Sequence, residues 1–535
     1  MSFPWLLSLV VGFLSLSQEI LWVRLIGFVQ GGAPVAFSFV LACYLAGIAL
    51  GAGVGKFFCD RFKDLYLVAT LVLLVAALTD PLPPFLGPWI AYHGGPVSVW
   101  NVIPPALGMI LTAAIKSTLF PIVHHLGSNQ SGSKVGSSVS NIYFGNIIGS
   151  TLGPIVTGFF LLDFLSTEAC FRLIGAVSLG MAILCALRVR VQLPVATVWA
   201  ATGAIAAVLI FLPAAGFVVA AGERFADGTS KAPIYGQIDH VVENKHGVIH
   251  TVALPGRADD MVYGGNIYDG RVNVDIKNDT NGLMRLYLLA AVHPSPKRIL
   301  VIGMSTGAWT KVLVGFPGTV QVDVVEINSG YVDLMRKYPE VVSVLTDPKV
   351  QIHIDDGRRW LKRNPKVQYD LIVMNTSFHW RANMTNLLSQ EFMRELDNHL
   401  APGGIVTFNT TRSLDAFVTA ASVFPFVYRY AGFAYASMSD FKVPPFQVAE
   451  QRLRQTSMDG SLIFTDSDFE PGAIGSQLAR TALQPVQELM ARYPSNAGVI
   501  TDANMLSEFR HGKRIGIPFL SYLLPPVEVV LFGDR

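Results

Sequence analysis

Apolar residues dominate the first part of the chain in runs of about twenty, the length a helix needs to cross hydrocarbon. The runs fall near residues 4–28, 35–55, 65–80, 97–121, 139–162, 168–188 and 195–221, and predict about seven spans. The first is too long, and too soon followed by others, to be a cleaved signal peptide. From Ala232 the period shortens, and stretches such as "YGQIDHVVE" and "GVIHTVALPG" predict a small antiparallel subdomain. Beyond "HPSPKR" the strands "ILVIG", "VQVDVVEIN", "VQIHIDDG", "YDLIVMN" and "GIVTFNT" alternate with helices starting near 306, 329, 357 and 388. That order predicts a parallel, doubly wound sheet. The expected architecture is an α-helical membrane bundle over residues 1–222, a small β subdomain over 223–296 and a Rossmann-like α/β domain over 297–535.

Composition sharpens this division. At 51% hydrophobic and 15% charged, the 535 residues are apolar for a soluble protein. Most of the charge lies from Glu223 onward, so a lipid bilayer is the expected partner of the first part. The net charge of +2 provides no electrostatic footprint for nucleic acid. Cys43, Cys59, Cys170 and Cys185 all lie in the apolar part without metal-ligand spacing; they read as small hydrophobes, and no metal is expected. The stretches "GIALGAGVG" (47–55) and "GNIIGSTLGPIVTG" (145–158) place small residues where helices pack closely in lipid. Glu19, Arg24 and Lys116 interrupt the apolar runs, and at bilayer depth each needs a partner or a polar cavity. Lys116 is also long enough to snorkel. Lys56, Arg61, Lys63, Lys134, Arg188 and Arg190 mark one side as cytoplasmic, and seven spans would then put residues 222–535 on the other.

Doubly wound sheets bind ligands at the carboxyl ends of their strands. There "GMSTGAW" supplies Gly303, Ser305, Thr306 and Gly307, a glycine turn leading into a helix N-terminus. Glu326 ends the second strand, where a carboxylate can accept from both hydroxyls of a ribose. Asp355, Asp356 and Gly357 follow the third strand and suit an adenine amino group. Together they predict an adenosine site, with helix capping as the competing role for the acids. The fourth strand runs into "NTSFHWR", which brings Asn375, His379, Trp380 and Arg381 to the same edge. His379 is a base titrating near neutrality, Trp380 offers an aromatic face suited to a sulfonium, and Arg381 suits a carboxylate or phosphate. The alternative has Trp380 packing a lid and Arg381 solvated.

The order of "YGQI", "YDGRV", "ILVIGMSTGAW", "VVEIN", "DDGRRWL", "YDLIVMN", "LAPGGI" and "ITDANMLSEF" resembles the spermidine synthase branch of the class I S-adenosylmethionine (SAM)-dependent transferases, over residues 232–510. Residues 1–190 resemble the membrane half of bacterial proteins in which such a domain is fused to a half-transporter bundle, through "EILWVRL", "GVGKFFCDRFK" and "GNIIGSTLGPIVTGFFL". The resemblance implies SAM or decarboxylated SAM as co-substrate, held by Gln237, Gly303, Glu326 and Asp356, in a protein of the bacterial inner membrane. Four groups that handle polyamine cations in that family are missing. An aspartate in its glycine turn is Thr306 here, two aspartates after the fourth strand are Asn375 and Phe378, and an upstream tyrosine and acid are Asn281 and Leu283. A doubly cationic diamine leaving water needs countercharge, so ordinary spermidine synthesis is not expected.

The expected activity is transfer of an aminopropyl, aminocarboxypropyl or methyl group from SAM or a close analogue to a small-molecule acceptor. His379 serves as base, with Asn375 and Arg381 beside it. An intramolecular cyclisation or elimination that releases methylthioadenosine would need no acceptor. A non-catalytic SAM-binding regulator attached to a transporter-like bundle is the alternative. A second copy of the chain is a further candidate partner. Because SAM is cytosolic, the catalytic domain is expected in the cytoplasm, which conflicts with seven spans. A span is most easily miscounted at "PLPPFLGPWIAYHGG" (81–95).

Overall fold

The computed structural model describes residues 2–90, 99–128, 135–189, 195–226, 237–257, 259–375, 377–493 and 497–511. Lys134, Arg190, residues 91–95 and the first two residues of "YGQI" lie outside the described residues. The chain divides into two compact units, built mainly of Met1–Ile234 and of Val248–Lys513.

The helices of the first unit run Phe3–Val29 (α1), Val35–Arg61 (α2), Leu65–Thr79 (α3), Val99–Ser128 (α4), Val135–Val156 (α5) and Thr167–Ala186 (α6). By length and apolarity five of these can cross a membrane; α3 does so only together with Pro83–Ile90, from which it is bent by 46°. The seventh apolar run is divided, because helix Val195–Phe211 stops at "LPAAG" before a second helix begins at Phe217. Close packing follows the glycines. A Cβ at Gly47, Gly51 or Gly55 of α2 would stand 2.5, 2.2 or 2.4 Å from a main-chain oxygen of α4, and one at Gly149 of α5 would stand 1.9 Å from the Leu9 carbonyl of α1. Only glycine permits backbones to approach so nearly.

Lys116 does not snorkel. It is 2% exposed, and it donates to Gln18 Oε1 at 2.7 Å and to the Asp80 carboxylate, which sits at the break after α3. Gln18 Nε2 and Ser178 Oγ complete the shell around Asp80, at 3.1 and 2.8 Å. Arg24 Nε donates to Thr167 Oγ1 at 2.9 Å, whereas Glu19, half-buried, makes no ion pair among the described residues.

The main strands of the second unit are Gln237–Asn244 (β1), Gly247–Ala253 (β2), Met261–Gly264 (β3), Ile267–Arg271 (β4), Arg298–Ile302 (β5), Gln321–Glu326 (β6), Val350–Ile354 (β7), Tyr369–Met374 (β8), Leu400–Asn409 (β9), Phe426–Tyr430 (β10), Phe433–Ser437 (β11) and Gln484–Pro485 (β12). The first four form a sheet in sequence order, and the rest form a second sheet in the order β12-β10-β11-β9-β8-β5-β6-β7. From β9 to β7 this sheet is parallel, as expected, but β11, β10 and β12 extend it with antiparallel strands. The sheet is mixed rather than purely parallel. Both faces are covered, which explains the unbroken apolar runs. Ile299, Val301, Leu371 and Val373 enter one core with Leu286 and Leu289, while Leu300, Ile302, Ile372 and Met374 enter the other with Phe392 and Phe417. β5 stops at Gly303, whose φ of +86° and tight approach to the Asn375 carbonyl, 2.9 Å from an added Cβ, admit no side chain.

Candidate active site

The carboxyl ends of β5, β8 and β9 open into a cleft of about 170 Å³. Ser305 and Thr306 of the glycine turn, Asn375 and Phe378 after β8, and Asn409 and Thr411 at the end of β9 form one side. Asp269 of β4, with Asn281 and Arg285 around the start of helix Met284–Val292 (α7), forms the other. Local hydrogen bonds fix both walls. Ser305 Oγ donates to the Asp269 carbonyl at 2.8 Å and Thr306 Oγ1 to the Arg271 carbonyl at 3.2 Å, so these hydroxyls tie the glycine turn to β4. The Asp279 carboxylate caps α7, accepting from the N–H groups of Leu283 and Met284 at 2.7 and 3.0 Å. Asn281 Oδ1 accepts from Arg271 N at 3.0 Å.

The predicted acids are deployed unequally. Glu326, 3% exposed, accepts from Met304 N at 2.7 Å and Asn328 N at 2.8 Å. Burial pushes its carboxyl up to about 7, against the opposing pull of those main-chain bonds. Asp356 caps helix Gly357–Arg363 by accepting from Arg359 N at 2.9 Å, the competing role foreseen for it. Asp355 pairs with Arg359 and Arg363. A Cβ at Gly357 would come within 2.8 Å of the Ile302 side chain, so this glycine serves close packing on β5. Asp269, which sequence reasoning left without a role, is pushed up to about 6 by burial; the Tyr331 hydroxyl, which donates to it, and the Arg381 guanidinium oppose the shift.

Of "NTSFHWR", Asn375 and Phe378 reach the cleft while His379, Trp380 and Arg381 are not among the residues lining it. His379 is buried, and its Nδ1 and main-chain N–H meet Thr411 Oγ1 at 2.7 and 3.0 Å. Trp380 is 4% exposed and packs 5.7 Å from the Phe378 ring centre. Arg381 Nη1 donates to Ser377 Oγ at 3.3 Å, and its Nη2 occupies the space above Gly265, where a Cβ would stand 2.2 Å away. Its charge is thus directed at the protein's own Asp269. Gln237 is exposed at the start of β1. The cation that borders the cleft is Arg285, which no spacing in the sequence had marked; Thr411 and Asn409 were missed for the same reason.

Residues 286–421 match the spermine/spermidine synthase domain family. The match lies in the C-terminal half of the chain. The polyamine aminopropyltransferase of Agathobacter rectalis is 37% identical over 119 residues, 22% of this chain and 41% of that protein. That of Streptococcus pneumoniae is 33% identical over 126 residues, 23% of this chain and 43% of that protein. The chain thus spans less than half the length of these curated relatives. Polyamine aminopropyltransferase 2 of Streptomyces coelicolor is similar over 404 residues at 26% identity, 73% of this chain and 70% of that protein. A solved spermidine synthase from Thermotoga maritima is 15% identical, with a TM-score of 0.37, over 50% of this chain and 91% of its own. The cleft, part of which lies outside the matched residues, is made largely of amides and hydroxyls.

Proposed function

We propose that this domain is a transferase that takes SAM or decarboxylated SAM and moves an alkyl group to an acceptor other than a free diamine. The observation that carries the proposal is the charge of the cleft. Among the described residues lining it Asp269 is the one acid, and its carboxyl is already held by Tyr331 and faced by Arg381. A diamine entering such a cleft would surrender its hydration without gaining countercharge, at several kcal/mol per ammonium. The glycine turn and Glu326 are the groups that would hold the adenosine portion, with the ribose hydroxyls donating to the Glu326 carboxylate.

Alkyl transfer from a sulfonium expels a neutral thioether, so the leaving group needs no acid. The acceptor must lose a proton. Thr411 Oγ1, in the cleft wall, can take it while passing its own to His379 Nδ1 at 2.7 Å, which makes His379 a base acting through Thr411 rather than by contact. Incubating the purified full chain with SAM and with decarboxylated SAM, and analysing the products by mass spectrometry, tests the proposal. We expect methylthioadenosine or S-adenosylhomocysteine. A protein that binds methylthioadenosine yet releases neither nucleoside would be a sensor rather than a transferase.

The helical unit is the proposed membrane anchor. Counting the bent pair as one span makes six. Helix Val195–Phe211 then runs back along α6, because Arg172 Nη2 donates to the Pro213 carbonyl at 3.0 Å and Glu168 accepts from Ala215 N and Phe217 N at 2.9 and 3.1 Å, so the chain after it stands at the end of α6 opposite Arg188. The cytoplasmic side is proposed because SAM is cytosolic, against the charge rule that Arg61, Lys63 and Arg188 follow. A cytoplasm-dependent reporter fused after Arg535 should be active; activity of a periplasmic phosphatase at that position would overturn this sidedness.

A further inference from the structure

We propose that Arg285 recognises a carboxylate of the substrate, namely the α-carboxylate of intact SAM, so that the domain selects SAM over decarboxylated SAM. This deepens the adenosyl-sulfonium reading above and rests on it. Arg285 is the second residue of α7, and its backbone is held firmly. Asp279 caps the helix, Leu283 and Leu286 are fully buried on either side, and the Tyr435 hydroxyl donates to the Arg285 carbonyl at 2.8 Å. The guanidinium lies over the Phe433 ring, 4.6 Å from its centre. A stacked guanidinium keeps its N–H edge available for a planar, two-pronged partner.

That edge has no carboxylate among the described residues, unlike Arg271, Arg298 and Arg358, which pair with Asp259, Asp323 and Asp502. The neighbouring chain is shaped around it. Gly282 has a φ of +70°, and a Cβ there would stand 2.9 Å from Arg285 Nη1, so the glycine preserves the room the guanidinium occupies. A half-buried cation that makes no ion pair among the described residues, in a cleft whose other polar groups include Asp269, already held by Tyr331, and the amides of Asn281, Asn375 and Asn409, is suited to an anion brought by the substrate. SAM brings one carboxylate. Decarboxylated SAM keeps the ammonium of that chain but lacks the carboxylate, so it offers the guanidinium repulsion alone.

The test compares equilibrium binding of SAM, decarboxylated SAM and methylthioadenosine to the full chain in detergent. Methylthioadenosine lacks the amino-acid chain and reports the adenosine site alone. We expect the parent to prefer SAM over decarboxylated SAM at least tenfold, Arg285→Met to abolish that preference, and Arg285→Lys to restore only part of it. Methylthioadenosine affinity should stay within about twofold throughout, which also certifies folding. Equal affinity of the parent for the two sulfonium compounds, or a preference that survives in Arg285→Met, would overturn the assignment to the donor carboxylate. Absence of methylthioadenosine binding by the parent would instead remove the adenosine reading on which it rests.

Discussion

Lys116 in the helical unit and Arg285 in the cleft are both cations withdrawn from bulk water, and their surroundings treat them in opposite ways. Lys116 is met by Asp80 and Gln18, and Ser178 holds the far oxygen of Asp80, so α1, α4, α6 and the break after α3 are joined by one closed network. Arg285 is met by an aromatic face and by room. A closed network specifies how helices pack and has no capacity left for a ligand; an open one costs desolvation that only a ligand can offset. The difference identifies which charge is architecture and which is kept for binding.

The comparison breaks most violently if the closed network is opened. Lys116→Met leaves the Asp80 carboxylate, 0% exposed, with no countercharge, and we expect a loss of about 3–5 kcal/mol. A thermal melt in detergent reads it. Pairing Lys116→Met with Asp80→Leu should recover most of the loss, because the buried charge disappears along with its partner. An unchanged melting temperature in the single variant would show that Asp80 reaches water.

Closing the open site is the converse change. Asn375→Asp adds an acid to the cleft that Arg285 borders. A carboxylate about 5 Å from the carboxylate of SAM costs roughly 3 kcal/mol at an effective dielectric of ~20, a factor of about a hundred in SAM consumption. Putrescine should gain nothing, since Thr306, Asn281 and Leu283 supply no further countercharge. Spermidine in the Asn375→Asp reaction would mean that the cleft is a lapsed diamine site.

Much of this framework is legible in the sequence, for a physical reason. Strands buried on both faces read as unbroken apolar runs, and "ILVIG" and "YDLIVMN" declare both their type and their carboxyl ends, where Gly303 and Asn375 duly stand. β10 and β11 do not show in the pattern because "FVYRYAGFAYAS" mixes arginine and glycine with aromatics toward the sheet's edge, and β12 is only two residues long, so pairing rather than periodicity defines these strands. Side-chain direction was the harder part. Arg381 follows Asn375 closely in sequence, but its main-chain N–H turns back to the Phe378 carbonyl at 3.0 Å and its guanidinium ends beside Gly265. Arg285 enters the cleft from a helix start about ninety residues upstream of Asn375, and local spacing cannot report such a meeting. Asp80 ends the apolar run 65–80 without any local sign of its role, because its partner Lys116 lies 36 residues away on another helix.

The smallest expected effect concerns the acid that lies between these extremes, Glu326, buried like Asp80 yet proposed to meet a ligand. Glu326 is pushed up to about 7 from an ordinary value near 4.5, chiefly by burial. In folding, a raised carboxyl stabilises the protein below its unfolded value and loses that contribution as the pH climbs through about 7, so the domain becomes less stable between pH 4.5 and 7. In binding the sign reverses. Ribose hydroxyls donate to the ionised carboxylate, so methylthioadenosine must bind more tightly as the group ionises, by about tenfold from pH 6 to pH 8. Stability and affinity should therefore run in opposite directions over the same titration, which ordinary acid denaturation cannot mimic. Glu326→Gln should flatten both profiles while keeping the protein folded, and Glu326→Ala should weaken binding at pH 8 by tenfold to a hundredfold, as the loss of a hydrogen bond to a charged group implies. A pH-independent affinity in the parent would show that the ribose does not meet Glu326, and that its two main-chain bonds at 2.7 and 2.8 Å are the whole of its role.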